Sequence, residues 1–248
     1  MRKRFKYIFR AYRYRNKVDP SEINYIRENL KEGSVAVDIG AHKGGYLYWM
    51  QKSVKATGKV FAFEPQVKLY NYLKNIAASL KFKNVSIENL GMSSEEGEVI
   101  FYIPISKNGI SIGARIDQFN NGTQCEESKI QITTLDKYFF DRQIYPDLIK
   151  IDVEGHEQQV LLGGMNLLKS CKPKIVMECE NRHLSETSMS DVFDTLFELD
   201  YCGYFFENNE LKPVKEFNAE IHQDLVKGRW GKKKKYINNF IFEVPPRN

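Results

Sequence analysis

Long apolar runs are missing from this 248-residue chain: no stretch of about 18 or more apolar residues occurs, so nothing in it reads as a membrane-spanning helix. The four cysteines, Cys125, Cys171, Cys179 and Cys202, never take C-x-x-C spacing. That argues against a zinc site and for reduced thiols in a cytoplasmic protein. The N-terminus is basic but has neither an apolar h-region nor a small-residue cleavage site, so no secretory leader is expected. The nicotinamide fingerprint G-x-G-x-x-G is absent, and no internal repeat is visible.

Acidic residues are missing from two segments. Residues 1–17 hold eight Lys/Arg and residues 227–235 hold six, with no Asp or Glu in either. The formal net charge of +5 therefore conceals a body of 23 Lys/Arg against 32 Asp/Glu. Such basic segments attract an anionic membrane surface, nucleic acid or a phosphorylated ligand. On a helix, Phe5, Ile8, Phe9 and Tyr12 fall at i, i+3, i+4 and i+7, an apolar face with cations around it. Two readings stay open. Residues 1–17 form either a peripheral membrane contact, resting on anionic lipid at the inner face, or a helix packed on the domain with its Lys/Arg solvated. Nucleic acid is not expected as a partner, because no recognition motif accompanies the charge.

The length and the 42% apolar content suffice for one α/β domain with a full core. A basic N-terminal arm and helix, residues 1–32, precede the domain proper at 33–248. Asp19-Pro20-Ser21 opens a helix running to about Leu30, and Gly33 ends it. Val35, Ala36, Val37 and Ile39 then form a short apolar run, as in a strand buried on both faces. Asp38, Gly40, Gly44 and Gly45 lead into an apolar helix-like stretch from Tyr46. Strand, glycine turn and helix present backbone N–H groups to a ligand. Further strands are expected at Lys59–Phe63, Asn84–Leu90, Leu148–Asp152, Lys174–Cys179, Tyr201–Phe206 and Asn238–Val244. Helical spacing covers residues 66–80 and 189–199 and the stretch after Glu157. The opening β-α-β-α-β order implies a parallel sheet with right-handed crossovers. Glu98–Ile103 and Lys129–Thr133 alternate like antiparallel strands, and residues 104–128 between them read as a lid or substrate-facing loop.

In an open parallel sheet the ligand lies outside the carboxyl ends of the strands. Glu64 stands at such an end, 24 residues past Gly40, and can accept hydrogen bonds from both ribose hydroxyls of an adenosine cofactor. The spacing Asp38-x-Gly40-x-x-x-Gly44, with His42 inside it, fits the amino-acid portion of a cofactor better than a pyrophosphate. S-adenosylmethionine has such a portion, and its positive charges suit a cleft lined by Asp38, Asp152 and Glu178.

VDIGAHKGGY, VFAFEP, TLDKYF, LIKIDVEGHEQQVLLGG and the strand-ending ECE resemble, in order, the motifs of FkbM-type S-adenosylmethionine-dependent methyltransferases. The resemblance covers about residues 33 to 180, and KIDVEGHE is its most specific piece. It implies a Rossmann-like class I methyltransferase fold: a seven-stranded, mostly parallel sheet with helices on both faces and its last strand antiparallel. It also implies methyl transfer, most often to an oxygen of a sugar or other small natural product. Carried over by position, Asp38, Gly40 and Gly44 would hold the methionine part, with His42 in the same loop, and Glu64 the ribose. Asn89, Gly91 and Met92 would flank the adenine, and the IDVEGHE segment would face the transferring methyl.

A sugar hydroxyl is barely acidic, so a base or a metal must assist. Asp152 is the first choice as base or positioning group, His156 the alternative base, and Glu154 lies between them. Glu154 and Glu157 are also readable as acids that begin a helix. Glu178 and His183 are candidates to face the acceptor, His183 equally as a surface histidine. Asp152, Glu154 and Glu178 would also serve as ligands were the enzyme Mg²⁺-dependent. Two competing readings remain: a nicotinamide-dependent oxidoreductase, for which Tyr70 and Lys74 offer a misplaced Y-x-x-x-K, and a non-catalytic membrane or nucleic-acid adaptor using the arm and Lys232–Lys235.

Overall fold

The computed structural model describes residues 2–105, 113–116, 123–184, 187–224 and 236–245. The Lys227–Lys235 segment lies outside them. At the centre stands β1 (Val35–Ile39), paired in parallel with β2 (Lys59–Phe63) on one side and β7 (Leu148–Ile151) on the other. Their near-continuous apolar sequences are those of strands covered on both faces. β3 (Val85–Glu88) continues the sheet beyond β2, and β8 (Lys174–Glu178) continues it beyond β7. The last strand, β11 (Asn239–Glu243), inserts antiparallel between β8 and β9 (Cys202–Glu207).

An eighth strand, β10 (Glu210–Pro213), extends the edge beyond the seven expected. It pairs antiparallel with β9 across Asn208 and Asn209, whose φ angles are +53° and +67°. Asparagine tolerates the left-handed region that such a tight hairpin turn requires.

Period-2 alternation sends Val37, Ile39, Phe61, Phe63, Ile149 and Ile151 to one face of the sheet, against Leu135, Phe139, Val160 and Leu161. Ala36, Val60, Ala62 and Leu148 face the other side. There they meet α1 (Arg2–Arg13), α2 (Pro20–Asn29), α3 (Leu47–Val54) and α4 (Val67–Leu80). The N-terminal 32 residues thus contribute to the core, through Tyr7, Ala11, Ile23, Ile26 and Leu30.

The packed face of α1 is not the one its most apolar residues suggest. Tyr7 and Ala11 are fully buried, whereas Phe5 is 73% and Phe9 63% exposed, with Tyr12 also exposed. Trp49 Nε1 donates to the Ala11 carbonyl at 2.8 Å, and Arg10 reaches Tyr72 Oη at 3.2 Å. A π-helical turn, residues 14–18, joins α1 to α2.

The strand expected over 84–90 is shorter, ending at Glu88. Gly91–Met92 leaves the main sheet as β4 and pairs in parallel with β6 (Cys125–Thr133), itself antiparallel to β5 (Gly97–Pro104). These strands run further into the 104–128 stretch than its composition suggests. Of the candidate lid, residues 106–112 and 117–122 lie outside the described residues, and Arg115 forms a two-hydrogen-bond bridge with Tyr102.

Tyr7 anchors the arm, yet its Oη has no hydrogen-bond partner among the described residues. Tyr7→Ala should lower the unfolding free energy by about 3–5 kcal/mol, the range for emptying a large aromatic site. Tyr7→Phe, which removes an unsatisfied hydroxyl, should be neutral or stabilising. Urea denaturation of the two variants checks both signs.

Candidate active site

The carboxyl ends of β1, β2, β7 and β8 open onto a cavity of about 300 Å³. Its floor begins at Gly40, with φ of +75°, where a Cβ would lie 1.9 Å from the Asp152 carbonyl oxygen. Only glycine permits that approach of the two strand tips. Asp152 N–H donates to the Ile39 carbonyl at 3.1 Å, and the N–H groups of Gly40 and Ala41 both donate to the Phe63 carbonyl at 3.0 Å. The loop then turns through His42, with φ of +48°.

Glu64 locks this loop. Its Oε2 accepts His42 N–H at 2.8 Å and its Oε1 accepts Gln66 N–H at 2.9 Å. Burial pushes the carboxyl up to about 7, against the pull of those two N–H groups. Asn89 works from behind the wall, donating to the Glu64 and Pro65 carbonyls at 2.9 and 2.8 Å, while Leu90, Gly91 and Met92 line the cavity.

Beneath the cavity lies a buried charge cluster. Lys150, 3% exposed, places Nζ 2.8 Å from Asp152 Oδ2 and 4.0 Å from Asp38 Oδ1, above the Tyr46 ring. Burial alone would lower the lysine, but the two carboxylates outweigh it and hold Lys150 above the ordinary lysine value. Asp38 is pushed up to about 6 by burial. Across the cavity, burial and then the Asp152 charge raise Glu154 to about 8 and Glu178 well above the carboxylate range. His42 falls to about 4 through burial and is neutral at pH 7.

Gly40, His42, Glu64, Gly91, Met92, Asp152, Glu154, His156 and Glu178 all line the one cavity. Three other cofactor candidates do not. Asp38 sits under the floor, and Asn89 is spent on carbonyls. Gly44 faces the arm, where a Cβ would lie 2.8 Å from the Tyr7 ring. Among the acceptor candidates, His183 stands behind the wall: its Nδ1 meets Glu154 Oε2 at 3.1 Å, so it is neither a lining residue nor a loose surface group. His156 Nε2 lies 2.9 Å from the buried Ser93 Oγ. Glu157 is buried at the start of α5 (Glu157–Leu162), accepting Gly155 N–H at 3.1 Å. Tyr70 and Lys74 sit on α4 and do not line the cavity.

The conditional reading of Asp152, Glu154 and Glu178 as Mg²⁺ ligands gains no support from the structure. Asp152 is turned to Lys150 and Glu154 to His183, and among the described residues no group of three or more His, Cys, Asp or Glu is placed to hold a metal ion.

Several lining residues carry no sequence signal: Tyr14, Val18 and Asp19 of the arm, Phe101 and Ile130 of the small sheet, Ala114 and Ile116 of the segment between β5 and β6, and Asn238. Two lining residues, His42 at Nε2 and Tyr46 at Oη, are buried without a hydrogen-bond partner among the described residues. Together with the excess of carboxyl groups, these orphans fit a ligand with positive charge and hydroxyl groups. S-adenosylmethionine meets that description.

A family model described as a methyltransferase FkbM domain matches residues 38–206. The hexuronic acid methyltransferase AglP of Haloferax volcanii is 28% identical over 155 residues, 62% of this chain. The chain spans 59% of that relative's length. Methyltransferase FkbM from Methylobacillus flagellatus KT shares the fold, with a TM-score of 0.53 at 15% identity over 97% of this chain and 54% of that one. Precorrin-6y C5,15-methyltransferase from Geobacter metallireducens GS-15 gives 0.50 at 10% identity, over 92% and 87%. The fold is thus that of the Rossmann-like methyltransferases.

Removing the Lys150 charge strands Asp38 in the interior. Lys150→Met should cost about 3–5 kcal/mol of stability at neutral to basic pH. That deficit should shrink as the pH falls towards about 6, where Asp38 takes up a proton. Urea unfolding across that range tests it, and a pH-independent loss would count against the pairing.

Proposed function

The chain belongs to the FkbM methyltransferase family, and from that premise we propose that it moves the methyl group of S-adenosylmethionine onto a hydroxyl oxygen of a small polyhydroxylated acceptor, a sugar or glycan. The observation that carries this reading is one cavity lined by both Glu64 and Asp152. An acid suited to ribose hydroxyls and an acid suited to an acceptor hydroxyl thus share it. Glu154, His156, Glu178 and Asn238 add hydrogen-bonding groups to the same wall, as a hydroxyl-rich acceptor needs. The hexuronic acid methyltransferase among the relatives supports a sugar.

The cofactor supplies an electrophilic methyl on a sulfonium. Everything else falls to the chain. Glu64, fixed by two backbone N–H groups, accepts from the ribose hydroxyls, and Leu90, Gly91 and Met92 border the adenine. The carboxyl groups around the floor favour a cationic guest over water. Asp152 receives the acceptor: Oδ2 is held by Lys150, while Oδ1 carries no hydrogen bond among the described residues and is open to the acceptor O–H. As the C–O bond formed and the S–CH3 bond broke, its electron pair leaving on sulfur as a neutral thioether, the acceptor's proton would pass to Oδ1, with Lys150 keeping the carboxyl in its rotamer. Alignment of this kind supplies roughly 7–11 kcal/mol, so a base of ordinary strength suffices. His156, fixed against Ser93, bounds the acceptor.

Two measurements test this assignment. Ribose hydroxyls donate more strongly to ionised than to protonated Glu64, so calorimetric affinity for S-adenosylhomocysteine should rise as the pH passes upward through about 7. Glu64→Gln should weaken it about 10–100-fold above that pH and flatten the profile. Asp152→Asn keeps the volume but loses the carboxylate that takes up the proton. It should lower turnover on a sugar acceptor about 100-fold or more while S-adenosylhomocysteine still binds; unchanged turnover would remove Asp152 from the reaction.

A further inference from the structure

The outward face of α1 has no role in the fold or in the proposed reaction. Tyr7 and Ala11 turn inward, and on the opposite side of the helix Phe5, Phe9 and Tyr12 stand in one exposed stripe. Lys6 and Arg13 are exposed beside it, while the exposed Lys3 and Arg4 border a groove against α4. No acid occurs before Asp19. At the far end of the stripe the Tyr12 ring meets Tyr48 and Trp49, at centroid distances of 6.2 and 5.1 Å. Arg15 and Arg27 lie over that Trp49 ring, and Lys52 over Tyr48. The Tyr48 and Trp49 rings are themselves buried, so the exposed aromatic stripe ends at Tyr12 and only its cationic border, Arg15, Arg27 and Lys52, continues past α1.

From this arrangement we propose that α1 docks the enzyme on the anionic headgroup surface of a lipid bilayer, with Phe5 and Phe9 inserted among the acyl chains and the Lys/Arg border paired with lipid phosphates. Charge complementarity selects the occupant: an arm with eight cations and no acid among residues 1–17 matches a negatively charged sheet of headgroups. The twelve-residue helix is only about 18 Å long, too short to cross a bilayer, and so lies along it. Two outward phenylalanines on a convex helix suit acyl chains. Stacked nucleic-acid bases instead require a groove that tracks the strand. The docked helix runs through the 14–18 turn into Tyr14 and Val18, which line the cavity, so docking sets the site beside the lipid surface. This proposal stands apart from the reaction and survives a failure of the acceptor assignment.

Vesicle flotation of the full chain tests it, with phosphatidylcholine alone or mixed with phosphatidylglycerol. Binding should be about tenfold or more tighter to the anionic vesicles and should weaken with salt. The double variant Phe5→Ser/Phe9→Ser and, separately, Lys6→Gln/Arg13→Gln should each lose about tenfold or more. These residues are exposed, so S-adenosylhomocysteine binding and the melting temperature should match the parent. No vesicle binding at low salt would overturn the proposal, and so would undiminished binding by the phenylalanine double variant. A concentration-dependent dimer abolished by the same two serines would give the face to a second copy of the chain. Oligonucleotide binding in preference to vesicles would give it to nucleic acid.

Discussion

A lysine shut inside the sheet between two carboxylates holds the site together. β1 and β7 run in parallel with Asp38 beside Lys150, and Asp152 follows two residues on, so all three point to the same face. Lys150 is not replaceable by an apolar residue without stranding buried negative charge. The same strand tips touch at Gly40, where the Asp152 carbonyl occupies the volume of a missing side chain. Charge pairing thus fixes the Asp152 side chain, and steric contact fixes its backbone.

That face of the sheet is the one the N-terminal arm covers, which explains the arm's depth of packing. Tyr46 lies over the Lys150 ammonium, and the half-buried Tyr14 lies near Lys150, Asp152 and Glu178. Burial raises Tyr14 even against the lowering effect of Lys150. An arm that shuts water away from the cluster strengthens every Coulomb term inside it. It is therefore part of the site as well as of the core.

The sheet and its ligand-facing end were legible because buried parallel strands write themselves as short apolar runs, and their C-terminal residues then fall into place by topology. Glu64, Asp152, His156 and Glu178 were located in this way. What escaped was side-chain direction. Gly44 and Gly40 look alike in the sequence, but one makes room for the Tyr7 ring and the other for a carbonyl. Asn89 reads as a cofactor contact, yet both its hydrogen bonds support the chain behind the cavity. On α1 the packing stripe, Tyr7 and Ala11, is less apolar than the stripe left in solvent, so periodicity points to the wrong face. β4 is two residues long, too short for any alternation to register, and with it the small sheet's share of the cavity wall was lost from view.

The site's electrostatics are uneconomical for an empty protein. Asp38, Glu64, Glu154, Glu157 and Glu178 are all raised, burial leading in each case, with a single lysine among them. Glu154 also holds a φ of +57°, a conformation that costs a non-glycine residue of order 1 kcal/mol. Unfavourable terms gathered at one place in a fold are offset where a guest relieves them. A cationic guest lowers the free energy of each ionised carboxyl, so binding draws protons off the cluster and stabilises the fold by linkage. In the proposed reaction the sulfonium charge is lost with the methyl group. The carboxyls that the cationic donor had drawn into ionisation would hold the neutral thioether less tightly, which favours capture of the donor and release of what remains.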